Sequence, residues 1–309
     1  MPQSTTNTTL DNSQSPFLLN NVSVYQAWRD NKLQDYPRTP GELLVEIDDA
    51  NSLSETEYQA LMQRIKKTNM AVYRITRGDK KAKQTIRSLG RRFGLEQLDN
   101  NLCADEDAIT SLKVVSEGRH TGYIPYSNRP ISWHTDGYYN MPDQQIRGMV
   151  LHCVSNAVTG GENLLLDHEI AYMHLRDYNP DYITALMHPQ AMTIPPNVEG
   201  GEEIRGEQSG PVFSIDPGGN LHMRYTARGR NIAWRNDSLT QEAVACLTTF
   251  LASDSPFIFR YGLQPGEGYL ANNVLHNRLA FEDDSEQHRL LYRARYFDRI
   301  HGTDVQMTA

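Results

Sequence analysis

From about residue 112 onward the sequence breaks into short β-prone runs, at 112–115, 149–154, 212–215, 221–225, 257–261, 269–275 and 290–297, in a region punctuated by Gly, Pro and Asn. So many short strands without a regular strand–helix–strand alternation predict a β sandwich or barrel. Helices decorate that core. Asp167 is placed to cap a helix running through Leu175, and Ser238 with Gln241 reads as a capping box ahead of Val244, Leu247, Phe250 and Leu251. The first third has a different texture. A strand is predicted at 43–47, then a helix opened by Ser54 and Glu57 with Tyr58, Leu61, Met62 and Ile65 on one face, then a strand at 70–75. Asp79 is a candidate cap for a basic helix carrying Ile86, Leu89 and Phe93 and closing at Gly94. Its Lys80, Lys81, Lys83, Arg87, Arg91 and Arg92 read as a solvated face before they read as an anion surface.

The fold class expected is therefore α+β, mainly β, with flanking helices. Residues 1–15 are polar and poor in apolar side chains, as disordered tails are. Residues 16–309 are expected to form one domain, with 16–110 packed against a β core at 111–309. The net charge of −8 gives no surface-wide attraction for a phosphate backbone, so nucleic acid is not an expected partner. Cys103, Cys153 and Cys246 are too few and too far apart for a disulfide framework. With no apolar h-region near the start and no long apolar run, the chain is expected to be cytoplasmic and to have no membrane partner.

The most informative segment is Ile131-Ser-Trp-His134-Thr-Asp136-Gly137. In extended chain His134 and Asp136 point to one side, one offering an imidazole nitrogen and the other a carboxylate oxygen. Trp133 points the other way, into the core. Far downstream, a turn and strand deliver His276, and Arg289, Arg293 and Arg295 follow with equal strand parity. Two histidines and one carboxylate leave three adjacent positions open on an octahedral metal, which suits non-haem Fe(II) oxygenases. An arginine on a neighbouring strand clamps a carboxylate through two parallel hydrogen bonds.

Four pieces occur in order: His134-Thr-Asp136, Gly160-Gly-Glu-Asn163, His276 and Arg289. In that combination the sequence resembles the Fe(II)- and 2-oxoglutarate-dependent dioxygenases of the taurine dioxygenase and γ-butyrobetaine hydroxylase superfamily, from about Met70 to near the C-terminus. The resemblance implies a double-stranded β-helix, or jelly roll, of the cupin kind. It implies that His134, Asp136 and His276 hold Fe(II) and that Arg289 binds the distal carboxylate of 2-oxoglutarate. Asn163 stands where taurine dioxygenase has an assisting threonine. The implied reaction consumes O2 and 2-oxoglutarate, releases succinate and CO2, and hydroxylates a C–H bond. Halogenation is disfavoured by the carboxylate of Asp136, while desaturation, cyclisation and cleavage stay open.

The substrate is expected to be a small polar metabolite such as an amino acid, a betaine, a sulfonate or another small acid. Candidate contacts are Arg293, at the position where taurine dioxygenase binds its sulfonate, and His222 and Arg224 on one strand face. Tyr138 and Tyr139, with Tyr123 and Tyr126, are candidates for enclosing a quaternary ammonium. Each has a plainer alternative: a rim salt bridge for Arg293, core hydrogen bonding for His222 and Arg224, packing for the tyrosines. Arg295 is read as a rim residue, and His152 and His168 as structural. Taurine itself is doubtful, because Phe93-Gly-Leu-Glu-Gln97 lacks the histidine expected there. Two rivals remain at this point: a non-catalytic cupin-like protein holding Zn(II), and a hydrolytic metalloenzyme. Oligomeric state is not legible, and a homo-oligomer is left open.

Overall fold

The computed structural model describes residues 15–77, 83–100, 105, 107–117, 121, 123–229 and 232–305. Of the tail expected at 1–15, residues 1–14 lie outside the described residues, as do the Asp79 cap, Lys80, Lys81 and Cys103; Ser15 is described and is buried, so it belongs to the packed chain. Among those described there are six α-helices: α1 (Val22–Leu33), α2 (Glu55–Thr68), α3 (Lys83–Arg92), α4 (His168–Tyr178), α5 (Pro180–Leu186) and α6 (Ser238–Leu251). None is long and apolar enough to cross a membrane.

The larger sheet has six strands in the spatial order Leu44–Ile47, Met70–Ile75, Glu267–Ala271, Gly148–Ser155, Leu290–Tyr296, Thr110–Leu112. The first two run parallel and the remaining neighbours antiparallel. Two strands from the first third of the chain thus extend a sheet built from the last two thirds. The smaller sheet has four strands, in the order Phe259–Tyr261, Asn163–Leu166, Leu275–Arg278, Ile131–His134.

Side-chain alternation divides the large sheet into two faces. Met70, Val72, Tyr269, Met149, Leu151, Cys153 and Leu291 lie in one buried cluster with Leu165, Leu166 and Leu275 of the small sheet. Their neighbours in sequence, including Ala71, Tyr73, Leu270, Val150, Ala294 and Tyr296, face the other way. They pack with Leu61 and Ile65 of α2 and Ile86 and Leu89 of α3. The helical spacing read in the sequence is therefore the spacing that covers the outer face. Gly268 sits where a Cβ would collide with the Leu151 carbonyl and the Tyr73 ring, so only glycine lets these strands approach.

Several expectations need correction. The run at 269–275 is two strands, Glu267–Ala271 in the large sheet and Leu275–Arg278 in the small one. The chain turns between them at Asn272 and Asn273, the latter left-handed at φ 50°. Asparagine tolerates that conformation because its short amide bonds nearby backbone. The strand expected at 112–115 is Thr110–Leu112. Helix α6 is capped by Asp237, whose carboxylate accepts from the Thr240 amide, and not by Ser238 with Gln241. The Ser54–Glu57 capping box is present as read. Helix α1 was not anticipated: its Lys32 is buried and paired with Asp167 at 2.8 Å and with Glu169. A cation in that place hides the apolar stripe that marks a helix in sequence.

Candidate metal centre and its surroundings

The small sheet brings the candidate ligands together. His276 pairs across the sheet with His134 on one side and Leu165 on the other. The two imidazole centroids are 4.2 Å apart. Asp136 lies just past the end of the His134 strand, with its Oδ1 3.9 Å from His134 Nε2. One ligand atom from each of the three lies within 4.8 Å of the others, and among the described residues this is the one such group of metal-ligating side chains.

Three local features hold this arrangement. Thr135 donates its amide to the Tyr225 carbonyl and accepts the Tyr225 amide on its hydroxyl, which fixes the strand end. Gly137 has φ 68°, and a Cβ there would strike Ile146. Asn273 reaches from the corner between the sheets: its Oδ1 accepts from the Asp136 amide at 2.8 Å, and its Nδ2 donates to the carbonyls of Asp136 and Ile146. The corner that delivers His276 therefore also clamps the backbone of Asp136. Sequence reasoning missed Asn273, because its role depends on a backbone conformation that the surrounding β-prone run conceals.

The donor set suits a divalent cation with mixed nitrogen and oxygen ligands. His134 donates Nδ1–H to the Ser132 carbonyl and His276 donates Nδ1–H to the Val274 carbonyl, each at 2.9 Å. Both rings are thereby set in the tautomer that leaves a lone pair on Nε2. Burial, followed by the neighbouring His276, pushes the His134 pKa down to about 3, and burial likewise lowers that of His276. Burial pushes the Asp136 carboxyl up, but Arg293, Arg295 and the two histidines outweigh it and hold the group well below the usual carboxylate range. Asp136 Oδ2 is buried with no hydrogen-bond partner among the described residues. An ionised oxygen left unpaired beside two free imidazole lone pairs is the pattern a metal ion resolves.

The remaining predicted residues separate into two groups. Arg289 stands at the mouth of its strand, 5 % exposed, with its guanidinium over the Phe281 ring and no ion pair among the described residues. It borders a cavity of about 470 Å³ with Cys153, Gly160 and Gly161. Asn163 faces inward but donates Nδ2 to the Asn277 carbonyl, so one of its two amide hydrogens is already used. His222 lines a second cavity, of about 190 Å³, that reaches Asp136. Burial, then the nearby His168, Arg147, Arg299 and Arg224, brings its pKa down to about 3 and keeps the ring neutral.

Arg224 borders the same cavity but is not free to hold a ligand. Its guanidinium donates to the carbonyls of Tyr138, Met192, Gly210 and Gln208, fastening the turn at Tyr138 to the paired strands Met192–Ile194 and Gln208–Gly210. Arg293 donates to Asp136 Oδ1 at 2.9 Å, so its salt bridge is to a candidate metal ligand and does not lie at a rim. Arg295 is also no rim residue: it is 2 % exposed and bonded to Asp99 and to the Tyr139 hydroxyl. The tyrosines do not form an open cage. Tyr139 already has the guanidinium groups of Arg205 and Arg295 near its ring, Tyr138 accepts from Arg228, and Tyr126 is core. Cationic neighbours oppose a cationic ligand. His152 and His168 are structural as read, partnered with the Tyr73 hydroxyl and the Leu221 carbonyl. Trp133 is buried and donates to the Leu251 carbonyl.

Comparison with known proteins agrees with this geometry. One uridine-5'-phosphate dioxygenase, from Amycolatopsis sp, is 30% identical over 183 residues, covering 58% of this chain and 64% of the relative. The aligned part thus falls just short of two thirds of that relative's length. A second, from Streptomyces sp, is 28% identical over 220 residues, covering 69% of this chain and 78% of the relative. The fold is shared with an asparagine oxygenase solved with Fe(II), 3-hydroxyasparagine and succinate, at TM-score 0.57 and 14% identity over 97% of this chain and 98% of that one. It is shared also with a putative alpha-ketoglutarate-dependent taurine dioxygenase from Burkholderia xenovorans, at TM-score 0.56 and 15% identity over 82% and 88% of the two chains. Residues 34–295, which carry both sheets and all three candidate ligands, match the taurine catabolism dioxygenase TauD, TfdA family, and the chain belongs to that family.

Proposed function

We propose that this protein is an Fe(II)- and 2-oxoglutarate-dependent dioxygenase that hydroxylates a C–H bond of a small polar metabolite, built on a double-stranded β-helix within one domain. The observation that carries the reading is the pairing of a preassembled, partly unsatisfied His134/Asp136/His276 set with a buried arginine, Arg289, that has no carboxylate partner of its own. A hydrolytic or purely structural metal site has no use for such an arginine.

In this reading Nε2 of His134, Nε2 of His276 and a carboxylate oxygen of Asp136 hold the iron. Iron held there would supply activation of O2, the chemistry needed to oxidise a substrate C–H bond while 2-oxoglutarate is converted to succinate and CO2. Arg289 receives the distal carboxylate, a charge-assisted contact made stronger by burial. Asn163 orients the strand beside it through Asn277 and has one amide hydrogen left to offer. Arg293 stays on Asp136, neutralising it and fixing its orientation, so it supports a metal ligand and is not itself the direct anion contact expected from the sequence.

The substrate enters the 190 Å³ cavity beside Asp136. Its wall carries amides and hydroxyls from Gln145, Gln208, Ser209 and Ser214 and the neutral ring of His222, while its cation, Arg224, is committed to backbone carbonyls. A wall of that kind selects an uncharged hydrogen-bonding group over an anionic end. The nucleobase or ribose of a nucleotide has this character, in keeping with the named activity of the two relatives. The free thiols of Cys153 and Cys246 fit a reducing, cytoplasmic setting.

The test is anaerobic addition of Fe(II) and then 2-oxoglutarate to the purified protein, followed by O2 and a panel of nucleoside monophosphates and small acids. A visible charge-transfer band and substrate-dependent succinate release are expected. Arg289→Ala should weaken 2-oxoglutarate binding about 100-fold, the usual cost of truncating one side of a buried charge pair. No band in the wild type would refute the reading.

A further inference from the structure

We propose that Tyr269 is a further 2-oxoglutarate contact, donating a hydrogen bond from its phenol to the distal carboxylate alongside Arg289. The inference rests on the 2-oxoglutarate reading of the site and adds a residue that neither the motif spacing nor the metal set identifies.

Tyr269 lies in the Glu267–Ala271 strand, opposite Val72 on one side and Leu151 on the other, and Leu151 is in turn opposite Arg293. Residues opposite one another across antiparallel strands share a face, so the Tyr269 ring projects from the same face as Arg293, toward the small sheet. The side chain is 1 % exposed, and its hydroxyl is buried without a hydrogen-bond partner among the described residues. A buried tyrosine hydroxyl nearly always has a partner, so this one marks a position where a polar group belongs. The charges that act on the phenol come from both ends of the site: Asp136 and Arg293 at the metal end, and Arg289 at the other. 2-Oxoglutarate is the molecule that must span those two ends, with its oxo-acid group at the metal and its second carboxylate at Arg289. Burial pushes the Tyr269 pKa up, so the group stays a donor at neutral pH.

Tyr296 provides an internal control. Its hydroxyl is also buried without a partner, but it belongs to the opposite face, packed under α3 with Arg87 and Arg91 as its charged neighbours.

The experiment is an anaerobic titration of the Fe(II)-loaded protein with 2-oxoglutarate and with 2-oxopentanoate, which has the same chain length without the distal carboxylate. Wild type, Tyr269→Phe and Tyr296→Phe are compared by calorimetry, with melting curves to verify folding. Tyr269→Phe should raise the Kd for 2-oxoglutarate about tenfold or more and leave that for 2-oxopentanoate unchanged, while Tyr296→Phe changes neither. An unchanged Kd in Tyr269→Phe, or an equal shift for both oxo-acids, overturns the inference while leaving the reading of the site intact. Failure of the wild type to bind 2-oxoglutarate overturns both.

Discussion

The metal end of the site and the substrate flank beside it are made from the same kinds of side chain, yet they treat those side chains in opposite ways. At the metal end, His134, His276 and Asp136 each keep one bonding position unused while the rest of the group is pinned. On the flank, Arg224 spends its donors on four backbone carbonyls and Tyr139 spends its hydroxyl on Arg295. The difference separates ligand from scaffold. A side chain that is held firmly and still has valence to spare is a binding group, whereas one that is fully paired shapes the cavity without touching what enters it.

That contrast can be broken experimentally, beginning where it predicts the most. Asp136→Ala removes a candidate ligand and strands Arg293 without its partner, so succinate release should vanish and stability should fall by about 3–5 kcal/mol. Full turnover in this variant would erase the distinction between the two regions. Asn273→Ala leaves the ligands in place but frees the Asp136 backbone. Fe(II) affinity should drop about 10–100-fold in a direct metal titration, the usual effect of removing a group that orients a ligand. Arg224→Lys tests the flank: with fewer donors for four carbonyls, the melting transition should lose about 1–3 kcal/mol while Fe(II) affinity stays as it was. A loss of Fe(II) affinity at unchanged stability would move Arg224 to the metal end.

The smallest effect concerns pH. His222 titrates near 6.5 when unfolded and at about 3 when folded, so between those values the unfolded chain binds a proton that the folded one does not. Its contribution to stability is whole above pH 6.5 and is lost as the pH falls toward 3. Denaturant melts of His222→Gln should therefore decline less steeply than wild type across that window. An identical decline would mean that the ring is solvated like an ordinary surface histidine.

How much of this was legible beforehand follows from what each residue depends on. His134 and Asp136 announce themselves by spacing, and His276 and Arg289 by their order, because strand geometry converts short spacings into shared faces. The outer face of the large sheet was readable for the same reason, through the periodicity of α2 and α3. Arg224 misled because strand parity says which way a side chain sets out and not what it meets. Its partners come from the short paired strands at Met192 and Gln208, and no local pattern points to them. Arg295 misled in the same way, since Asp99 lies 196 residues away. Asn273 and the break it causes were hidden inside a run whose β propensity is real on both sides of the corner.

The corner at Asn272 and Asn273 has a consequence for how such a protein changes over generations. His276 follows His134 by 142 residues, and the cavity wall beside Asp136 is drawn from the chain between them. Yet the relative placement of the ligands rests on the pairing of His134 with His276 and the clamp of Asn273 on Asp136, to which the intervening chain adds only a few fixed points such as Ile146, Leu165 and Tyr225. Lengthening or rewriting the loops between those points costs little in closure entropy and leaves the clamp untouched. The cavity wall can therefore drift while the ligand set is inherited whole.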